Sequence, residues 1–88
     1  IGRLKKMILV DIYVPSVEQN FDFNLDEKAS IANVIEEVAS LVTQREHCEL
    51  KEDIEDLFLC DLQRSEILPK DRNLKQCNIT NGSHLIMV

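Results

Sequence analysis

Two short β-type runs, far apart in sequence, constrain this chain more than anything else in it. One is Met7 to Val14 (MILVDIYV); the other, His84 to Val88 (HLIMV), closes the stretch LKQCNITNGSHLIMV after a tight Asn81-Gly82 corner. An extended run must find partners for its backbone N–H and C=O groups. No other apolar run in the chain is comparable. We therefore expect the two to lie side by side at the centre of one sheet, brought together by whatever folds between them.

That middle is short. The chain has 88 residues, enough for one domain with a modest core. Only two glycines and two prolines argue against a loop-rich or disordered chain. Sixteen acidic residues against ten basic ones give a net charge of −6, which disfavours nucleic acid, since binding phosphate takes a basic patch. The one basic cluster, Arg3, Lys5 and Lys6, lacks interleaved aromatics and reads as a solvated terminal extension, residues 1–6, ahead of a single domain over 7–88. No run approaches the length of a membrane span, and no segment has the parts of a signal peptide. Three cysteines, Cys48, Cys60 and Cys77, are an odd number at irregular spacing, so reduced thiols in a cytoplasmic protein are expected.

Strand alternation places Ile8, Val10, Ile12 and Val14 toward a core and Met7, Leu9, Asp11 and Tyr13 away from it. Pro15 ends the first strand, and Pro15 to Asn20 reads as a polar loop. Phe21-Asp22-Phe23-Asn24-Leu25 alternates strictly, with the aromatic and aliphatic residues inward. Ser30 is a good N-cap. After it, Ile31, Val34, Ile35, Val38, Leu41 and Val42 recur at three- and four-residue steps, one apolar face of a helix from about Ser30 to Arg45. Burying such a face contributes about 10 kcal/mol gross. Glu46 to Asp56 is strongly acidic, with a possible short helical turn between Leu50 and Ile54. Leu57 to Cys60 and Glu66 to Leu68 read as short strands, and Leu74 as a core plug. The order is strand, strand, helix, strand, short strand, strand. It predicts an α+β fold of β-grasp type, a mixed sheet of four to five strands with one main helix on one face.

Three stretches resemble ubiquitin-like proteins: Ser30-Ile31-Ala32-Asn33-Val34 at the helix start, Ile67-Leu68 followed by Arg72-Asn73-Leu74, and Cys77 to Leu85 approaching the last strand. Within that superfamily the phrase Cys77-Asn78-Ile79-Thr80-Asn81-Gly82, followed by Leu85, is similar to the YukD (EsaB-like) family. Those are small bacterial proteins associated with the WXG100, or type VII, secretion system. The resemblance implies a cytoplasmic accessory or adaptor module that binds protein partners, including secretion-system components. Ubiquitin and its sulfur-carrier relatives end in a Gly-Gly tail, whereas this sequence ends Ile86-Met87-Val88. The expectation is a module that is not conjugated. The alternatives are a ubiquitin-like regulatory domain of another system, or a sulfur carrier or modifier with Gly-Gly encoded beyond Val88.

No catalytic constellation is visible, so no enzyme, cofactor or metal is expected. His47-Cys48 and the Cys77/His84 pair lack the paired spacing of a zinc site. A Cys–His nucleophile needs a pocket and a third, orienting group. The acidic run reads as a solvated loop or as a docking edge for a basic partner, without the loop pattern of a calcium site. The sheet face away from the helix carries the functional reading. Alternation sends Leu85, Met87, Leu57 and Leu59 inward and His84, Ile86, Val88, Phe58 and Cys60 outward. Leu9, Tyr13, Phe58, Ile86 and Val88 are then expected to converge on one open face. Open sheet faces are normally polar, and a contiguous apolar patch marks an interaction site. The occupant is a protein partner or, as a weak homo-oligomer, a second copy.

Overall fold

The computed structural model describes residues 5–50 and 52–88. Five strands form one sheet: β1 (Met7–Val14), β2 (Gln19–Asp26), β3 (Leu59–Asp61), β4 (Glu66–Ile67) and β5 (His84–Met87). Helix α1 (Ile31–Glu46) packs on one face. The strand order is β2-β1-β5-β3-β4, so β1 and β5 are neighbours, paired in parallel at the centre. This is the arrangement expected from the two apolar runs.

The β1–β2 hairpin is tighter than the sequence implied. A 3-10 turn at Pro15–Val17 and Glu18 in the left-handed region (φ 54°) reverse the chain, so that Val14 already pairs with Gln19 and Tyr13 with Asn20. Gln19 and Asn20 therefore belong to β2, not to a loop. Their polar side chains hid this, but the ladder needs only their backbone. At the other end Glu27 N–H donates to the Lys6 carbonyl (3.0 Å), which carries the hairpin one step past Met7. Lys5 and Lys6 are exposed; Arg3 and the rest of residues 1–4 lie outside the described residues.

Ser30 caps α1, its Oγ accepting from Asn33 N–H at 3.1 Å. The N–H groups of Ile31 and Ala32 donate to the carbonyls of Arg72 (2.8 Å) and Lys70 (3.2 Å). Helix starts leave such donors without intrahelical partners, and the loop before β5 supplies them. That loop is itself capped: Asn73 and Gln76 exchange side chain-to-backbone bonds at 2.9 and 2.7 Å, a reciprocal capping pattern. The helix ends at Glu46, with His47 in the left-handed region.

The buried face of α1 is Ile31, Val34, Ile35, Val38, Ala39 and Val42. Leu41, expected there, is half-buried and packs at the margin. At about 100° per residue, Leu41 lies about 90° from the middle of this face and Ala39 about 70°. The other inward-reading residues, Ile8, Val10, Ile12, Val14, Phe21, Phe23, Leu25, Leu57, Leu59, Leu74, Leu85 and Met87, join the same core.

Boundaries also moved after the helix, and β4 ends at Ile67 instead of Leu68. β3 begins at Leu59 instead of Leu57, although Phe58 exchanges two backbone hydrogen bonds with Val88 (2.6 and 2.9 Å). In the acidic connection the turn falls at Ile54–Asp56 instead of between Leu50 and Ile54, because Asp53 is extended (φ −69°, ψ 151°) and breaks the helical phase.

Candidate protein-binding face

The open face of the sheet is best described by its register. Asn20, Tyr13, Ile86, Cys60 and Ile67 are successive cross-strand partners, one row that crosses all five strands. Apart from Asn20 at the β2 edge, the row is apolar or weakly polar. One step along β5 beyond Met87, Val88 lies opposite Phe58 through their paired backbone bonds, and both side chains are exposed (47% and 43%). Tyr13 and Ile86 are half-buried by their neighbours, whereas Ile67 is 64% exposed. Lys70 Nζ stands 4.5 Å from the centre of the Phe58 ring, a cation–π contact that places a positive charge at the rim.

On the other side of this row the face turns polar. Asp11 sits between Asp22 on β2 and His84 on β5. Its carboxylate accepts from Asn20 Nδ2 (3.1 and 3.2 Å) and faces His84 Nδ1 at 3.2 Å. Leu9 lies beyond this band, about 13 Å from Tyr13 along the strand. Its N–H donates to Asn81 Oδ1 and its carbonyl accepts from Gly82 N–H, each at 2.7 Å. Gly82 takes φ 87°, a conformation that favours glycine at this corner.

The structure thus brings together Tyr13, Phe58, Ile86 and Val88, four of the five residues expected to converge. Leu9 is on the same face and 50% exposed, but the Asp11–His84 band separates it from the others. Alternation gave its facing correctly; only the register with β5 gives its neighbours. Ile67 was missed. Its signal was present in Glu66-Ile67-Leu68, where an inward Leu68 sends Ile67 outward, and Leu68 is indeed buried.

The cysteines do not assemble with the histidines. Cys77 is buried and His84 is turned to Asp11, while Cys48 is exposed at the end of α1. Burial pushes the Cys60 thiol up. Burial also raises Cys77, against the lowering effect of the Arg72 guanidinium. Both thiols stay protonated near neutrality and are poor nucleophiles. Among the described residues no three His, Cys, Asp or Glu side chains converge on a point where a metal could sit. No described helix is long and apolar enough to cross a membrane.

No protein-family model and no curated protein matches the sequence. Solved structures do. The EccD5 ubiquitin-like domain from Mycobacterium xenopi superposes with a TM-score of 0.75 at 18% identity, over 94% of this chain and 93% of that one. Ubiquitin from Caldiarchaeum subterraneum gives 0.72 at 11% identity, over 93% and 91%. The ubiquitin-like domain of Arabidopsis thaliana protein At2g32350 gives 0.70 at 20% identity, over 94% and 77%. The chain has a ubiquitin-like fold. At these identities the likeness speaks to the fold alone, and the chemistry of the open face is this chain's own.

Proposed function

We propose that this chain is a non-enzymatic, ubiquitin-like protein-binding module that engages its partner through the apolar half of the open sheet face. The observation that carries this reading is the row Tyr13, Ile86, Cys60 and Ile67, flanked by Phe58 and Val88, on a face that no element of the chain covers among the described residues. Aromatic and aliphatic side chains grouped this way, with a charged rim, have the composition of an interface centre. The finer setting is a cytoplasmic accessory or adaptor role in a bacterial type VII (WXG100) secretion system. Its support is the closing phrase from Cys77 to Leu85, which resembles the YukD family, together with the fold-level likeness to the EccD5 ubiquitin-like domain.

The test is capture of a partner by the intact chain and by Ile86→Asp and Ile67→Asp variants that keep the native circular dichroism spectrum. The proposal expects capture to fall at least about tenfold, because a carboxylate in a desolvated interface centre is costly. Folded variants that capture the partner as well as the parent does would refute the site. Neighbouring genes for WXG100 substrates or an FtsK-like ATPase would support the secretion setting, and their absence would count against it. Sedimentation at increasing concentration separates a partner site from a self-association face.

A further inference from the structure

On the helix side of the sheet, away from the face just described, two adjoining hollows of about 240 and 500 Å³ share Ile54 and Glu55 in their walls. Together they form a groove along α1, roofed on one side by the acidic connection. Small side chains make it concave: Ala32, Ala39, Ser40 and Thr43 line the helix wall. These positions span about 16 Å of helix, the length of three turns of a docked helix. Leu50 and Ile54 supply the opposite wall. Ile54 is 44% exposed, an aliphatic side chain held open in a segment otherwise rich in charge.

The rim carries Glu36, Glu49, Glu52, Asp53 and Glu55. None of these carboxylates enters an ion pair among the described residues. Lys51 lies outside those residues. Lys70, the base that lines the groove, has its ammonium donating to the Glu55 carbonyl at 2.7 Å and set over the Phe58 ring. The combination of an apolar wall, helix length and an excess of carboxylates over bases among the described lining residues selects the occupant.

We propose that this groove docks a short basic amphipathic helix of a partner protein. Aliphatic side chains would lie at i and i+3 or i+4 against Ala39 and Ile54, with lysines or arginines on the carboxylate rim. A second copy of this chain is a poor occupant, because both copies carry net charge −6.

A suitable probe is a fluorescein-labelled synthetic helix of about fourteen residues, leucine at the i, i+3 and i+4 positions and lysine elsewhere. Its control replaces every leucine with serine. Anisotropy at low salt should show saturable binding of the leucine peptide. Amide resonances of Ser40, Thr43, Leu50 and Ile54 should shift on titration. Ile54→Ser should weaken binding about fivefold through lost apolar contact. The combined Glu49→Gln, Glu52→Gln and Asp53→Asn variant should weaken it about tenfold. Ile86→Asp should leave it unchanged, so this site and the open sheet face can fail separately. Equal binding of the serine peptide, unchanged affinity in folded Ile54→Ser, or shifts confined to the open sheet face would each overturn the proposal.

Discussion

Tyr13 on β1 and Ile86 on β5 are cross-strand partners in the parallel pair at the centre of the sheet. Their side chains face away from α1 and lie in one row with Cys60 and Ile67. Leu9, four residues before Tyr13 on the same strand, stands past the Asp11–His84 contact. The two leucine-sized positions should therefore answer differently. Ile86→Asp is expected to reduce partner binding at least about tenfold, and Leu9→Asp to change it less than about twofold, since isolated surface hydrophobics carry little. Paired binding isotherms on the folded variants decide this, and equal losses would restore Leu9 to the patch.

The opposite side of the same sheet gives the contrasting case. Val38 on α1 is fully buried in the core. Val38→Asp leaves a carboxylate there without a partner, a loss of more than about 4 kcal/mol. That is comparable to the whole stability of a small domain. Thermal melts should show no cooperative transition, whereas Ile86→Asp and Ile67→Asp should keep one.

Ser30 ties the helix start to the sheet connection. Ser30→Ala removes the Oγ acceptor for Asn33 N–H and should cost about 1 kcal/mol, a fall of about 4–8 °C in Tm for a domain of this size. Ser30→Asp keeps an acceptor and should recover most of that loss. Differential scanning calorimetry of the three proteins tests the pair of expectations.

Two thiols make stability depend on pH in the alkaline range. Burial raises Cys60 and Cys77 in the folded chain above the ordinary value of 9.0. A raised folded pKa favours the protonated thiol. Its contribution is fully present below pH 9.0 and is lost as pH climbs through the folded value. Urea midpoints should thus fall above pH 9, and less steeply in Cys77→Ala. Alkylation at neutral pH should label exposed Cys48 first, half-buried Cys60 next and buried Cys77 last; a different order, read by mass spectrometry, would contradict this ranking.

Much of the fold could be read directly because periodicity records facing. A period of two in MILVDIYV and FDFNL, and of three to four from Ile31 to Val42, separates inward from outward residues without knowledge of the neighbours. Parity therefore told which side Leu9, Tyr13, Phe58, Ile86 and Val88 take. It did not tell which of them touch. Gln19 and Asn20 show the same limit. A strand formed by backbone pairing has no side-chain signature when its residues are polar.

The sequence by itself determined the two central strands, most of the buried face of α1 (Leu41 and Ala39 excepted), the Ser30 cap and the alternation that leaves apolar side chains on an open face. These depend on local spacing and on the chemistry of single residues. Tertiary structure alone decided the register of β5 against β1 and β3. That register aligns Tyr13, Ile86, Cys60 and Ile67 and sets Leu9 beyond Asp11 and His84. It also decided that the acidic connection folds back beside α1 and leaves a groove there. The β1–β5 register is fixed by backbone hydrogen bonds between residues more than seventy positions apart, such as Asp11 N–H to the Ser83 carbonyl and Gly82 N–H to the Leu9 carbonyl. A local window of sequence holds no trace of such a bond.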